Sequence, residues 1–201
     1  EEALLLAQDL GEKRQEGLVH SNIALCRTFL GHATESLAHS ESALLIFRAL
    51  GNRAAECRLL SNMGMQLSEL GRETEAKAHY ENCLRIANQI GLRAIAAISL
   101  GNLGYLERLS GRVVEGKNIY LEALRIHQEL GSTRGEAIAK ANLGEFELIL
   151  GNLAQAQVYL EESIALTDKG SSAATGAARA DLALVFSRQG RHDDARYQLA
   201  L

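Results

Sequence analysis

Four asparagines recur at one constant interval: Asn22, Asn62, Asn102 and Asn142, with Asp181 continuing the series after a one-residue shortening. An asparagine side chain carries both a donor pair and an acceptor. It can therefore hold the N–H and the C=O of an extended peptide without reading the peptide's side chains. Packed helices lie about 10 Å apart and an extended chain rises about 3.3 Å per residue, so one such amide serves roughly every third peptide residue. The alternative is that each asparagine bonds a neighbouring helix and belongs to the repeat's own architecture.

The positions around this series fit a ligand site. One residue earlier the side chain is always small: Ser21, Ser61, Gly101, Ala141 and Ala180. Small residues let a ligand backbone approach the helix surface. The flanking series are Leu18, Arg58, Ile98 and Ile138 on one side and Leu25, Met65, Tyr105 and Glu145 on the other. A floor of this kind, apolar with few charges, suits a peptide anchored by hydrophobic side chains. Ordinary packing between neighbouring helices would also account for some of these residues. Arg58 and Arg108 are the only cations expected to face the site.

Other chemistry finds little support. His39 and His79 share a register, but no cysteine or carboxylate recurs with them, so they read as solvated surface residues and no metal site is expected. HExxH, P-loop, GxGxxG and nucleophile-elbow patterns are absent, so neither catalysis nor a cofactor is expected. The net charge of −4 leaves no basic footprint for nucleic acid or an anionic membrane. No stretch reads as a secretory signal or is apolar enough to span a bilayer. Cys26, Cys57 and Cys83 form no CxxC pair and read as small core fillers in a reducing, cytoplasmic setting.

The elements that must carry the asparagines are marked by glycines. These fall at 11, 31, 51, 71, 91, 111, 131 and 151, then at 170 and 190, which divides the chain into alternating helices. Four copies of a two-helix unit cover 11–50, 51–90, 91–130 and 131–169. Residues 1–10 read as the end of a preceding repeat and 170–201 as a truncated fifth copy, so the chain is expected to be one solenoid cut from a longer protein. In copy 91–130 the first helix (A) spans roughly 93–110 and the second (B) 113–130. Apolar stripes on the B helices, such as Tyr120, Ala123 and Leu124, predict the core, together with Leu103, Leu143 and Ile164. Ser36, Ala76, Gly116, Ala156 and Ala195 are small enough for close A–B approach. Leu-Gly pairs predict glycine C-caps, and Glu35, Glu75, Glu115, Asp193 and Asp194 sit where a B-helix N-terminus favours negative charge. Proline is absent, as a nearly all-helical chain requires.

Asn-Leu-Gly at 102–104 and 142–144, the mid-repeat glycine, Ala76 or Ala156, Tyr80 or Tyr120, and Ala-Leu at 123–124 resemble the tetratricopeptide repeat. The resemblance covers the whole chain. It departs from the family pattern in lacking tryptophan and the terminal proline, and in having a period of 40 where the family has about 34. The aromatic position late in helix A is held by Arg27, Leu67, Glu107, Glu147 and Phe186, so its buried contact is expected to be lost. Long repeats of this type are similar to those of kinesin light chains, Pins/LGN spindle adaptors and bacterial signalling proteins. The resemblance implies an all-α, right-handed superhelical solenoid of antiparallel helix pairs whose A helices line a concave, peptide-binding groove. Arg58 and Arg108 alone do not build the basic clamp with which related domains hold a C-terminal carboxylate. The expected role is a protein- or peptide-binding scaffold or regulatory module of a larger protein. The alternative is self-association, including end-to-end stacking through Leu4, Leu5 and Leu6.

Overall fold

A computed structural model describes residues 2–167 and 173–200. Gly170, the expected start of the fifth copy, lies outside the described residues, as do Glu1 and Leu201. Among the described residues there are eleven helices and no strand: α1 (Glu2–Asp9), α2 (Lys13–Phe29), α3 (Ala33–Ala49), α4 (Arg53–Glu69), α5 (Glu73–Gln89), α6 (Arg93–Leu109), α7 (Val113–Glu129), α8 (Thr133–Ile149), α9 (Leu153–Thr167), α10 (Ala173–Arg188) and α11 (His192–Ala200). The A helices are α2, α4, α6, α8 and α10. The chain divides into two compact units, Glu1–Asn102 and Leu103–Leu201, and the division falls within α6.

The helices α1 to α8 and α10 each stop at a glycine for a conformational reason. At the end of α2, Gly31 takes φ 78°, a left-handed conformation that costs a residue with a Cβ and costs glycine nothing. The turn lets the Gly31 N–H donate to the Thr28 carbonyl at 3.0 Å and the His32 N–H donate to the Arg27 carbonyl at 2.9 Å. These are the paired bonds of a Schellman cap, which satisfy carbonyls the helix leaves free. The B helices begin with the expected acidic residues: Glu35 in α3, Glu75 in α5, Glu115 in α7, and Asp193 and Asp194 in α11.

In the first unit α1 packs on α2, α2 on α3, α3 on α4 and α4 on α5. Phe47, Leu60, Leu67 and Ile86 fill its interior. A buried polar cluster ties three helices together. The Gln66 amide donates to Ser36 Oγ at 2.8 Å and to Thr28 Oγ1 at 3.2 Å, and its oxygen accepts from Ser40 Oγ at 3.3 Å. Ser36 in turn donates to the Ala24 carbonyl at 2.6 Å. Every member is bonded, as burial of polar groups requires.

In the second unit α8 packs on α7, α9 and α10, and α10 also packs on α9 and α11. Leu103, Leu124, Leu143 and Ile164 are buried as the stripes predict. Close A–B approach is evident at Gly104, where a Cβ would lie 2.6 Å from the Tyr120 ring and 2.9 Å from the Gly116 carbonyl oxygen. Tyr120 in turn rests on Phe146, with ring centroids 5.3 Å apart.

Three expectations are corrected. The late A-helix position remains buried in four copies although only Phe186 keeps the aromatic: Leu67, Glu107, Glu147 and Phe186 are buried, and Arg27 is half-buried. The glutamates are tolerated because partners reach them: Arg112 pairs with Glu107, while Asn152 and Lys117 reach Glu147 at 2.7 and 3.3 Å. Cys57 and Cys83 are buried as expected, but Cys26 is exposed and lines a cleft with Ala3, Leu4, Val19 and Leu30. The histidines are not simply solvated. His39 is half-buried and its Nδ1 lies 2.9 Å from Nδ1 of His20 on the preceding A helix, where one nitrogen donates and the other accepts. His79 is also half-buried, with Nδ1 enclosed by protein.

Candidate functional site

An A helix presents a new side chain to the same face at every third or fourth position. In the first unit this places Leu18, Asn22 and Leu25 together on α2, and Arg58, Asn62 and Met65 together on α4. All six are exposed, while the residues between them, such as Ala24, Leu59 and Met63, are buried. Asn22 and Asn62 therefore project away from the core. Ile98, on α6, is 51% exposed, and Asn102 is half-buried. The small neighbours Ser21, Ser61 and Gly101 are partly exposed, so the helix backbone is approachable beside each asparagine.

The second unit carries the same series with more charge. Tyr105 and Ile138 are about equally exposed, at 40% and 42%. Asn142 is half-buried and its side-chain N–H donates to the Ile138 carbonyl one turn back at 2.8 Å. That leaves its oxygen and a second N–H for another partner. Two residues that the sequence suggests separately meet here: Arg108 Nη1 lies 2.5 Å from Glu145 Oε1, and its guanidinium sits 4.9 Å from the centre of the Tyr105 ring. The pair neutralises itself, so neither residue is a free charge on this face. Asp181, which takes the asparagine's place on α10, is half-buried. Burial raises its pKa, the nearby Glu145 carboxylate raises it further, and Arg108 opposes both.

Leu184 on α10 is 42% exposed and stands in the register of Glu145, Tyr105, Met65 and Leu25. Sequence reasoning misses it because the one-residue shortening before 170 displaces the fifth copy. Counting from Glu145 one position short of the full period finds it.

The arrangement offers amide groups between apolar side chains, which is chemistry for holding a chain. Among the described residues no group of three histidines, cysteines or carboxylates is placed to hold a metal ion. Among the same residues no helix is long and apolar enough to cross a membrane.

A family profile described as the tetratricopeptide repeat matches residues 15–89, 56–129, 95–169 and 135–200. Among curated proteins no relative matches. Several solved structures share the fold. BtubC (BKLC) from P. vanneervenii superposes with a TM-score of 0.84 at 19% identity, over 99% of this chain and 85% of that one. The kinesin light chain TPR-like repeats of Podosopora anserina give a TM-score of 0.71 at 15% identity, over 90% of each chain. NprR, solved in complex with its cognate peptide NprX, gives 0.74 at 16% identity, over 97% of this chain and 58% of that one. At these identities the likeness is one of fold.

Proposed function

Because the chain belongs to the tetratricopeptide-repeat family, we propose that it is a protein-interaction module that holds an extended peptide along the exposed faces of its A helices. The observation that carries this reading is the outward projection of Asn22 and Asn62 between exposed Leu18, Leu25 and Met65. An amide used only to bond a neighbouring helix would be turned inward. At Asn142 the amide instead donates to the Ile138 carbonyl of its own helix. Each asparagine binds peptide backbone, and the apolar residues beside it take side chains. NprR, which shares the fold, is known in complex with a peptide, and this agrees with the reading.

The test begins with selection of extended peptides from a random library against the whole chain. Affinities are then compared between this chain and a variant carrying Asn62→Ala, Asn102→Ala and Asn142→Ala. Three hydrogen-bonding sites are removed, each contributing roughly 0.5–1.5 kcal/mol, so binding weakens more than about tenfold. The unfolding midpoint barely moves, because the side chains serve the ligand. A large fall in the midpoint with binding untouched would make the asparagines structural. Binding depends only weakly on salt, since the Arg108–Glu145 pair is internally neutral. A chain mass that rises with concentration and falls in the same variant would mean that this face receives a second copy.

A further inference from the structure

The repeat register matches one position on helix A with one on helix B at a constant spacing, and the residues there are small. They are Gly17 and Ala43 in copy 11–50, Ala97 and Ala123 in copy 91–130, and Ala137 and Ser163 in copy 131–169, all buried. Ser163 Oγ donates to the Ala137 carbonyl at 2.8 Å, so the two positions meet where the helices cross. In copy 51–90 the same two positions are Cys57 on α4 and Cys83 on α5, both fully buried, with sulfurs 2.8 Å apart. The Cys57 thiol also lies 3.2 Å from the Cys83 carbonyl oxygen, and Ser99 Oγ donates to Cys83 Sγ at 3.1 Å. Two residues that merely fill a crossing do not need sulfur, as the other copies demonstrate.

We infer that Cys57 and Cys83 are an oxidation site, at which a peroxide converts the two thiols to a disulfide that staples α4 to α5. The chemistry follows from the geometry. Ser99 directs its hydroxyl proton at Cys83 Sγ, so negative charge developing on that sulfur is met by a donor. Cys83, as thiolate, attacks one peroxide oxygen: an S–O bond forms, the O–O bond breaks, and the leaving hydroxide takes the thiol's proton as water. Cys57 then attacks the sulfenic sulfur. The S–S bond forms, the S–O bond breaks, and the departing hydroxide leaves as water with the Cys57 proton. Two thiols lose two electrons and two protons in all, and the peroxide is reduced to two waters.

Burial sets when this happens. The Cys57 thiol is pushed up to about 12, chiefly by burial, so it is a poor nucleophile in the closed structure. Oxidation therefore proceeds through local opening of the α4–α5 pair, and the bond then opposes that opening. The consequence is local stiffening, because α4 also carries Arg58, Asn62 and Met65. The inference stands on the crossing alone and is independent of what binds the exposed face.

The test uses the full chain with Cys26→Ser, which removes the exposed competing thiol. Hydrogen peroxide is added under native conditions and the product is examined by intact mass and by mapping of non-reduced digests. The expected result is loss of two hydrogens, a linked peptide joining Cys57 to Cys83, and reversal by a dithiol reductant. The melting temperature rises by several degrees on oxidation, and amide exchange slows in α4 and α5. Cys57→Ala, which reproduces Ala97 and Ala137 of the other copies, abolishes the link. The inference is overturned if both thiols still alkylate on unfolding after a dose that consumes Cys26 in the parent chain. Separate gain of oxygen on each sulfur overturns it too, as does a link that forms only above the unfolding midpoint in urea.

Discussion

Single residues in this protein are decided by how close the helices come. At Gly104 the backbone of α6 meets Tyr120 and the Gly116 carbonyl so closely that a methyl group has no room. Gly104→Ala is accordingly expected to destabilise the chain by about 1–3 kcal/mol through overpacking. Chemical denaturation measures it, and the second contact is backbone, which cannot swing aside as a flexible side chain could. The same closeness explains what sequence does not reveal. The repeat register alone does not show that Cys57 and Cys83 touch, because their meeting depends on the depth of the helix crossing. The clue lies in the pairs that replace them, all small and all at the same spacing. Arg108 and Glu145 are both legible as facing the site, but their pairing is not, since it joins side chains far apart in the chain.

At the scale of elements the sequence is largely legible. Evenly spaced glycines and an apolar stripe on each B helix are local signals, repeated often enough to remove ambiguity, and α1 to α8 and α10 end where they indicate. Burial at helix ends is harder to read. A charged residue in a sequence says nothing of its partner, so Glu107 and Glu147 read as positions where the family's buried contact is lost. The histidines read as solvated for a related reason, because they lean on the neighbouring helix instead of into water. This gives a pH dependence. The pKa values of His20, His79 and His127 are lowered from 6.5, in each case chiefly by burial. The folded state therefore holds fewer protons than the unfolded chain just below that value, and stability falls as pH falls through it. Asp181, with its raised pKa, acts in the opposite sense at lower pH, its destabilising charge being relieved as it protonates. Melting should be lower at about pH 5.5 than at about pH 7.5. Replacing His79 and His127 by leucine removes two of the three shifted histidines and should flatten that difference.

For the molecule as a whole, the repeat multiplies one surface. Each of α2, α4, α6 and α8 offers an amide beside a small neighbour, and α10 carries Asp181 in the amide's place. The fold and its family are legible because they are written several times over. The occupant is not, because asparagine side-chain amides recognise a peptide's main chain and leave few constraints on its sequence. The central claim is that these amides touch the ligand, and it can be observed directly. A selected peptide is added to the isotopically labelled chain, and the side-chain amide signals of Asn22, Asn62, Asn102 and Asn142 are followed by nuclear magnetic resonance. The account predicts large shifts and slowed hydrogen exchange at these side-chain amides, strongest at Asn22 and Asn62, where the groups stand exposed. Saturating peptide that leaves all four signals unmoved, with changes confined to the B helices, would contradict it.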